Sequence, residues 1–231
     1  MSAPIGSTTG TTQLTLYGYW RSSSSYRVRA ALELKGLAYR YEAVHLLDDG
    51  GHQHRESYRA LNPMRIVPTL VLEQGGQRHV VTQSVAICEL LDELFPETAL
   101  LPTSPFQRAE VRALVEVVNS GIQPIANLSV LRHLARELGL DEGARNAWIH
   151  HWISKGLDGL ERLLERSARA FAVGDTPTLA DCFIVPQLYN ARRYALDLSP
   201  YPRLRHIEAS CLALPAFQRA LPEHQPDAPT P

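Results

Sequence analysis

The chain has 231 residues, of which 45% are hydrophobic and 20% charged, and its formal net charge at pH 7 is -1. This composition is typical of a globular protein with one large domain or two compact ones, and it excludes disordered and fibrous chains. Because positive charge is not in excess, the sequence indicates neither a nucleic-acid partner nor binding to an anionic membrane, and a small-molecule partner is expected.

The cysteine content and the N-terminal segment bear on location. Cys88, Cys182 and Cys211 are too few and too widely spaced for a disulfide framework, which favours a reducing compartment. Residues 1–13 lack the basic and apolar regions of a signal peptide, so we interpret them as a flexible tail. No apolar run approaches the roughly 20 residues needed to cross a bilayer. A cytoplasmic protein is therefore predicted.

Residues 14–95 alternate short apolar runs with helical patterns, which is typical of a β-α-β unit in an α/β layer. A strand is predicted from Leu14 to Tyr19 and a second from Tyr39 to Leu46. Between them, a helix begins at Ser24 or Ser25 with a serine N-cap and stops at Gly36.

The second part of this region contains a loop, a hairpin and another helix. A polar loop and a short helix lead to residues 62–70, where two prolines keep the chain extended. The next two apolar runs bracket Gly75-Gly76 and predict a hairpin. Helical spacing then returns from Gln83 to Leu94.

Residues 106–231 predict an all-helical domain, joined to residues 14–95 by a linker at 96–105. Apolar residues mark one buried helix face from Val111 to Ile122 and another from Trp148 to Leu164. Pro124 is expected to break the first helix. Thr178 and Asp181 predict a capping box that opens a third.

The run from Tyr19 to Arg27 holds four serine hydroxyls and two guanidinium groups at a strand-to-helix turn. Such a turn presents backbone N–H groups and the positive end of a helix dipole, so an anion is the expected ligand. A helix cap and a solvated loop are equally compatible with the same residues. Spacing alone leaves both interpretations open.

Three other kinds of site lack their signatures in this sequence. The serine run contains no glycine and no Gly-Lys-Ser/Thr, which argues against a nucleotide loop. Gly-x-Ser-x-Gly is absent, which argues against a serine hydrolase. The neighbouring histidines lack carboxylate and cysteine companions, so no metal site is predicted.

The segment from Ser22 to Gly36 resembles the Ser-Ser-Cys-Ser-Trp-Arg-Val-Arg motif of the zeta-class glutathione transferases, which include maleylacetoacetate and maleylpyruvate isomerases. The likeness continues over residues 14–226 through short motifs in matching order and spacing. These motifs are Asp49-Gly50-Gly51, Asn62-Pro63-Met64, Val67-Pro68, Gln83-Ser84, Gly121-Ile122-Gln123-Pro124, Asn127-Leu128-Ser129-Val130-Leu131 and Asp197-Leu198-Ser199-Pro200-Tyr201-Pro202.

The resemblance implies a glutathione transferase fold: an α/β thioredoxin-like N-terminal domain plus an all-α C-terminal domain, active as a homodimer, with glutathione bound between the domains. Val67 precedes the proline that matches the family's cis-proline, and a cis bond there exposes the N–H and C=O of Val67 to the tripeptide. Helix-start donors hold a carboxylate, although an ordinary N-cap is the alternative at Gln83 and Ser84. The implied glutathione-binding residues are Ser22, Ser23, Gln53, Val67, Pro68, Gln83 and Ser84.

Ser22 matches the hydroxyl that hydrogen-bonds the glutathione sulfur, with Ser23 and Ser24 as alternatives. Free thiols have a pKa of about 8.5, and a hydroxyl donor beside a helix N-terminus is expected to lower it by ~2 units. The implied reaction is reversible addition of the thiolate to the cis double bond of a small unsaturated diacid. Maleylacetoacetate then rotates about the new single bond and is released as fumarylacetoacetate.

Guanidinium groups suit the substrate carboxylates and the enolate charge that develops during the reaction. Arg193 matches a family arginine that faces the substrate, and Arg21 is the second candidate. The implied catalytic residues are Ser22, Ser23, Ser24, Arg21 and Arg193. The implied substrate-binding residues are Gln123, Asn127, Arg192 and Arg193.

Ser24 stands where the family motif usually carries cysteine. Isomerisation through the sulfur of glutathione needs no protein thiol, but a side reaction through a mixed disulfide, such as reductive dehalogenation, does. Three other functions stay open: a maleylpyruvate isomerase, a zeta-class transferase of other substrate, and a non-catalytic protein that binds glutathione or a hydrophobic ligand.

Overall fold

The computed structural model describes residues 12–229. The predicted tail, residues 1–13, lies outside this range except for its last two residues, and Gln13 is the first residue of a strand. The strands are β1 (Gln13–Gly18), β2 (Arg40–Ala43), β3 (Thr69–Gln74) and β4 (Gln77–Thr82). The α-helices are α1 (Ser23–Leu34), α2 (Glu56–Arg59), α3 (Ser84–Leu94), α4 (Pro105–Glu116), α5 (Leu128–Arg136), α6 (Glu142–Ser167), α7 (Leu179–Arg193), α8 (Pro202–Leu212) and α9 (Pro215–Ala220).

The four strands form one sheet in the order β2-β1-β3-β4. β1 and β2 are parallel and are joined through α1, whereas β3 is antiparallel to both β1 and β4. The β-α-β unit and the hairpin are therefore as the sequence predicts. β2 is shorter than expected, because its pairing ends at Ala43 opposite Gly18, the last residue of β1.

The C-terminal half is helical, as predicted. From residue 83 to residue 229 the only extended pairing is an isolated bridge between Ala168 and Gly174. α4 continues as a π-helical segment, Val117–Ile122, and a 3-10 turn then begins at Pro124, where the helix was expected to break. The predicted capping box opens α7, and Asp181 accepts the backbone N–H of Thr178 at 2.7 Å.

One continuous apolar core joins the two halves of the molecule, from Leu16 in β1 through Val28 in α1 to Phe183 in α7. α1 packs against α3, α7 and α9. A fully buried side chain such as Val28 contributes about 1.5–3 kcal/mol to the free energy of unfolding. α1 therefore lies at the junction of the halves, although the domain boundaries at 96–105 stay a prediction.

Cys88, Cys182 and Cys211 are free and buried. All three belong to the hydrophobic core. Across residues 12–229 no helix combines the length and the apolarity that a bilayer crossing needs.

Candidate active site

The serine-rich turn ends in a helix cap made by Ser22. α1 begins at Ser23, and the Ser22 hydroxyl oxygen accepts the backbone N–H of Ser25 at 3.2 Å. A hydroxyl has two lone pairs and one hydrogen, so accepting this bond leaves its O–H free to donate. The cap and the anion site, which the sequence left as alternatives, are therefore compatible in one residue. Ser23 and Ser24 occupy the first turn of α1.

Long-range contacts fix the position of this turn. The guanidinium of Arg29 is fully buried and donates to the carbonyl of Trp20 at 2.9 Å and to that of Ala220 at 3.0 Å. The backbone N–H of Trp20 donates to Asp227 at 3.0 Å. The C-terminal segment therefore holds the turn in place from outside the α/β half.

The peptide bond between Val67 and Pro68 is cis, as the resemblance implied. Two side chains brace the preceding residue: Tyr58 and Asn62 donate to the carbonyl of Ile66 at 2.6 and 2.8 Å. Within residues 12–229 neither the N–H nor the C=O of Val67 has a hydrogen-bond partner. Both groups are available to an extended peptide.

The start of α3 carries the second pair of predicted ligand contacts. Gln83 occupies the N-cap position with φ +73° but makes no capping hydrogen bond, so the ordinary N-cap that the sequence left open is absent. Positive φ at a residue other than glycine costs about 1–3 kcal/mol and is common at ligand sites. Ser84, 4% exposed, accepts a hydrogen bond from Arg27 at 3.1 Å. The first N–H groups of α3 therefore lack a side-chain cap and favour an anion.

Gln53, in the polar loop, is the remaining predicted glutathione contact. Its side chain is 5% exposed, and its Nε2 donates to the carbonyl of Leu46 at 3.4 Å. Its Oε1 is buried and has no partner among residues 12–229. A buried acceptor without a donor is costly, so this atom is suited to receive a ligand N–H.

The chain from α4 to α5 forms the opposite wall. Asn119, in the π-helical segment, accepts from Arg27 beside Ser84, at 3.0 Å. Further along, Arg132 in α5 donates to the carbonyl of Leu46, at 3.5 Å. Segment 119–132 therefore reaches from the start of α3 to the neighbourhood of Gln53. Gln123 and Asn127 lie on it, and the side-chain oxygen of Asn127 caps α5 by accepting from Val130.

Arg21 and Arg193, 172 positions apart in the chain, share one neighbour. Both lie within electrostatic reach of Tyr189, which donates to Glu223 at 2.5 Å. Burial and the bond to Glu223 raise the pKa of Tyr189, and the charges of Arg193 and Arg21 oppose this rise. The two predicted catalytic arginines therefore share Tyr189 as an electrostatic neighbour, with Arg193 exposed and Arg21 half-buried.

Arg192 points to a different neighbour. It forms an ion pair with Glu208 of α8, and hydrogen bonding to this carboxylate raises the pKa of Arg192. Consecutive residues of a helix project about 100° apart, which separates Arg192 from Arg193. Its guanidinium is thus already used in joining α7 to α8.

Several residues of this region were absent from the sequence-based candidates. The sequence did contain a signal for Arg27, because this charged residue stands between Tyr26 and Val28 on the helix that carries the family motif. Asn119, Arg132 and Glu223 had none, since their partners are remote in sequence. Asn119 accepts from Arg27, Arg132 donates to the carbonyl of Leu46, and Glu223 accepts from Tyr189. Across residues 12–229 no group of three His, Cys, Asp or Glu side chains is placed to hold a metal ion.

Comparison with known proteins gives matches over most of the chain. A model of the glutathione S-transferase N-terminal domain matches residues 21–94, and a model of the glutathione S-transferase C-terminal domain matches residues 146–206. A probable maleylacetoacetate isomerase of Vibrio cholerae is 46% identical, over 93% of this chain and 98% of its own.

Solved structures agree with these matches. The holo structure of maleyl pyruvate isomerase, a bacterial zeta-class glutathione transferase, has a TM-score of 0.87 at 46% identity and covers 93% of this chain and 100% of its own. Maleylacetoacetate isomerase from Anaeromyxobacter dehalogenans, with glutathione in its active site, has a TM-score of 0.87 at 51% identity and covers 95% and 100%. Another structure of that protein holds dicarboxyethyl glutathione and citrate, with a TM-score of 0.86 at 49% identity and coverage of 96% and 100%.

Proposed function

Because the chain belongs to the zeta class of glutathione transferases, we propose that it is a glutathione-dependent cis-trans isomerase that converts maleylacetoacetate to fumarylacetoacetate. The observation that carries this proposal is the Ser22 hydroxyl, fixed as a helix cap with its O–H still free to donate. It stands in the same turn as Arg21, which, like Arg193, acts electrostatically on Tyr189.

The donors and acceptors along the cleft fit glutathione, a tripeptide with two carboxylates and a thiol. Val67 offers an unpaired N–H and C=O to the peptide backbone, and the start of α3 at Ser84 offers donors to a carboxylate. The buried Oε1 of Gln53 lacks the donor that a peptide N–H supplies. These residues, with Pro68 and Gln83, are the proposed glutathione contacts.

Bound glutathione supplies a thiolate that adds reversibly to the conjugated cis double bond of the substrate. Ser22 donates its O–H to the sulfur, and the N-terminus of α1 places partial positive charge beside it. Both effects favour the charged form of the thiol. Ser23 and Ser24, in the first turn of the same helix, are the alternative donors.

Arg21 and Arg193 hold the substrate carboxylates and stabilise the negative charge that builds up on the carbonyl oxygen. Gln123 and Asn127, on the wall between α4 and α5, complete the substrate side. Arg192 contributes less than Arg193, because Glu208 neutralises it.

The proposed assembly is a cytoplasmic homodimer. Large apolar side chains at the surface support a second copy as partner: Phe106 is 88% exposed and Met64 69%. The free thiols of the three cysteines are compatible with a reducing compartment. Sedimentation of the wild type and of Phe106→Glu tests the dimer, which the charged variant is expected to weaken.

The test of function is conversion of maleylacetone from cis to trans with and without glutathione. The proposal predicts turnover only in its presence, with glutathione regenerated and no stable conjugate. Turnover that is independent of glutathione, or consumption of glutathione without isomerisation, contradicts it.

Maleylpyruvate is the second candidate substrate, supported by the holo maleyl pyruvate isomerase structure at 46% identity. Values of kcat/KM on both diacids decide between them. If neither diacid is converted while glutathione still binds, the protein is a binding module or acts on another substrate.

A further inference from the structure

Arg27 is the buried cation that the proposed reaction does not use. Its side chain is 1% exposed, and its guanidinium carbon lies 4.5 Å from the ring centroid of Phe183. Burial lowers the pKa of Arg27 to about 10, so the group is still charged at neutral pH. A fully buried positive charge is costly unless something negative compensates it.

The other buried cations of residues 12–229 are compensated by protein groups. Lys35 pairs with Asp92 at 3.0 Å. Arg29 uses all three of its nitrogens to donate to backbone carbonyls. Arg27 differs from both: within residues 12–229 the carboxylate of Glu116 acts on it electrostatically but not at ion-pair distance, and its Nε and Nη2 have no partner.

Nη1 is the one nitrogen of the Arg27 guanidinium with hydrogen-bond partners among residues 12–229. Its bond to Ser84 determines which hydrogen bonds the Ser84 hydroxyl can still make. Nη1 donates to Ser84 Oγ at 3.1 Å and to Asn119 Oδ1 at 3.0 Å. A guanidinium can only donate, so Ser84 must accept and its own O–H is left to donate elsewhere. Ser84 begins α3, whose first N–H groups lack a cap. The Ser84 hydroxyl and the first N–H groups of α3 are therefore available donors beside the buried charge of Arg27.

We propose that Arg27 is the positioning residue of the γ-glutamyl carboxylate site: it orients Ser84 as a donor and supplies the buried positive charge that selects a carboxylate there. This inference rests on the proposed function, because it needs glutathione in the cleft. It goes beyond that function by assigning the basis of selectivity for one carboxylate to a residue that does not touch the reacting atoms.

The test compares two ligands that differ in one group. S-methylglutathione carries the γ-glutamyl carboxylate but no free thiol, and S-methyl-(4-aminobutyryl)cysteinylglycine is the same molecule without that carboxylate. Binding of each to the whole protein is measured by calorimetry, so that neither thiol ionisation nor turnover contributes. Wild type is expected to prefer S-methylglutathione by roughly 100-fold.

Arg27→Met is expected to lower the affinity for S-methylglutathione about tenfold and to leave that for the second ligand within about threefold. Arg112→Met is the matched control, because Arg112 binds α3 through Glu89 at 2.7 Å, as Arg27 binds α3 through Ser84, but on the outer surface. It is expected to bind both ligands as the wild type does. Equal weakening of both ligands by Arg27→Met means that Arg27 is only a structural link, and overturns the proposal.

Asn119→Asp keeps the test decisive if Arg27→Met does not fold. This near-isosteric change gives Arg27 a carboxylate at the position of the present 3.0 Å acceptor. It is expected to neutralise Arg27 and to narrow the preference for S-methylglutathione at least fivefold. An unchanged preference in Asn119→Asp overturns the proposal. Failure of the wild type to bind S-methylglutathione at all refutes the proposed function instead, which separates the two failures.

Discussion

The two sides of the candidate active site are built in different ways. The side expected to hold glutathione consists of buried, braced groups: Asn62 fixes the carbonyl before Val67, and Arg27 fixes Ser84. The side expected to hold the substrate consists of two charged groups near Tyr189, the exposed Arg193 and the half-buried Arg21. The residues of the glutathione side are part of the packed core, whereas those of the substrate side can be substituted without changing the fold.

This difference indicates how one architecture serves related diacids. In the proposed function, contacts made by backbone and buried side chains determine which thiol binds, and a substitution there is expected to disturb the core. Arginines nearer the surface determine which acid binds, and a substitution there is expected to cost little stability. The predictions below separate the two sides by asking which of them each change affects.

The largest effect is expected for Ser22→Ala. Removing a donor that faces an anion costs about 100-fold in kcat. Affinity for S-methylglutathione is expected to change less than threefold, because this ligand lacks the thiolate. Steady-state kinetics with maleylacetone measures the first and calorimetry the second. Ser23→Ala and Ser24→Ala are the controls, and an equal loss in either one moves the donor role to that residue.

Arg193→Met is expected to lower kcat/KM about thirtyfold and to leave glutathione affinity unchanged, because its charge faces the acid and not the tripeptide. Arg192→Met is the neighbouring control and should change kcat/KM less than threefold, although it loses the ion pair with Glu208. A larger effect of Arg192→Met than of Arg193→Met contradicts the assignment.

Asn62→Ala tests the brace on the other side. The variant loses the donor to the carbonyl of Ile66 and leaves this group under-satisfied, at a cost of about 1–3 kcal/mol in the free energy of unfolding. Glutathione affinity should fall about tenfold while the KM for the diacid stays within threefold. Urea unfolding measures the free energy of unfolding, and calorimetry measures the glutathione affinity. Weaker diacid binding at saturating glutathione contradicts the separation of the two sides.

The smallest effect is expected for Glu223→Gln. Glu223 accepts from Tyr189 at 2.5 Å and places negative charge where two arginines act. Removing this exposed charge is expected to raise kcat/KM for a dianionic diacid about twofold to threefold, more at low salt than at high salt. A decrease in kcat/KM, measured over a salt series, would mean that Glu223 holds the arginines in position.

The sequence predicted local features better than contacts between distant parts of the chain. The β-α-β unit, the serine cap, the Pro124 break and the Thr178 box follow from local periodicity and side-chain chemistry, and all are present. The cis bond at Pro68 came from the family resemblance. Local chemistry was sufficient for the caps and the helix break because each depends on residues a few positions apart.

The contacts that escaped prediction join distant parts of the chain. Trp20 meets Asp227 across 207 positions, and Arg27 meets Asn119 across 92. No spacing rule identifies such partners, because tertiary packing alone brings them together. α5 was also missed: its cap at Asn127 was interpreted only as a substrate contact, whereas the structure shows the same side chain starting a helix.

The pKa of the thiol in bound glutathione tests the central claim most directly, followed as thiolate absorbance over a pH titration of the complex. A Ser22 hydroxyl donor beside the start of α1 predicts a pKa about 2 units below the free value of about 8.5, and a return to within about half a unit of that value in Ser22→Ala. A wild-type thiol that titrates near 8.5, or one that titrates equally low in Ser22→Ala, would contradict the account.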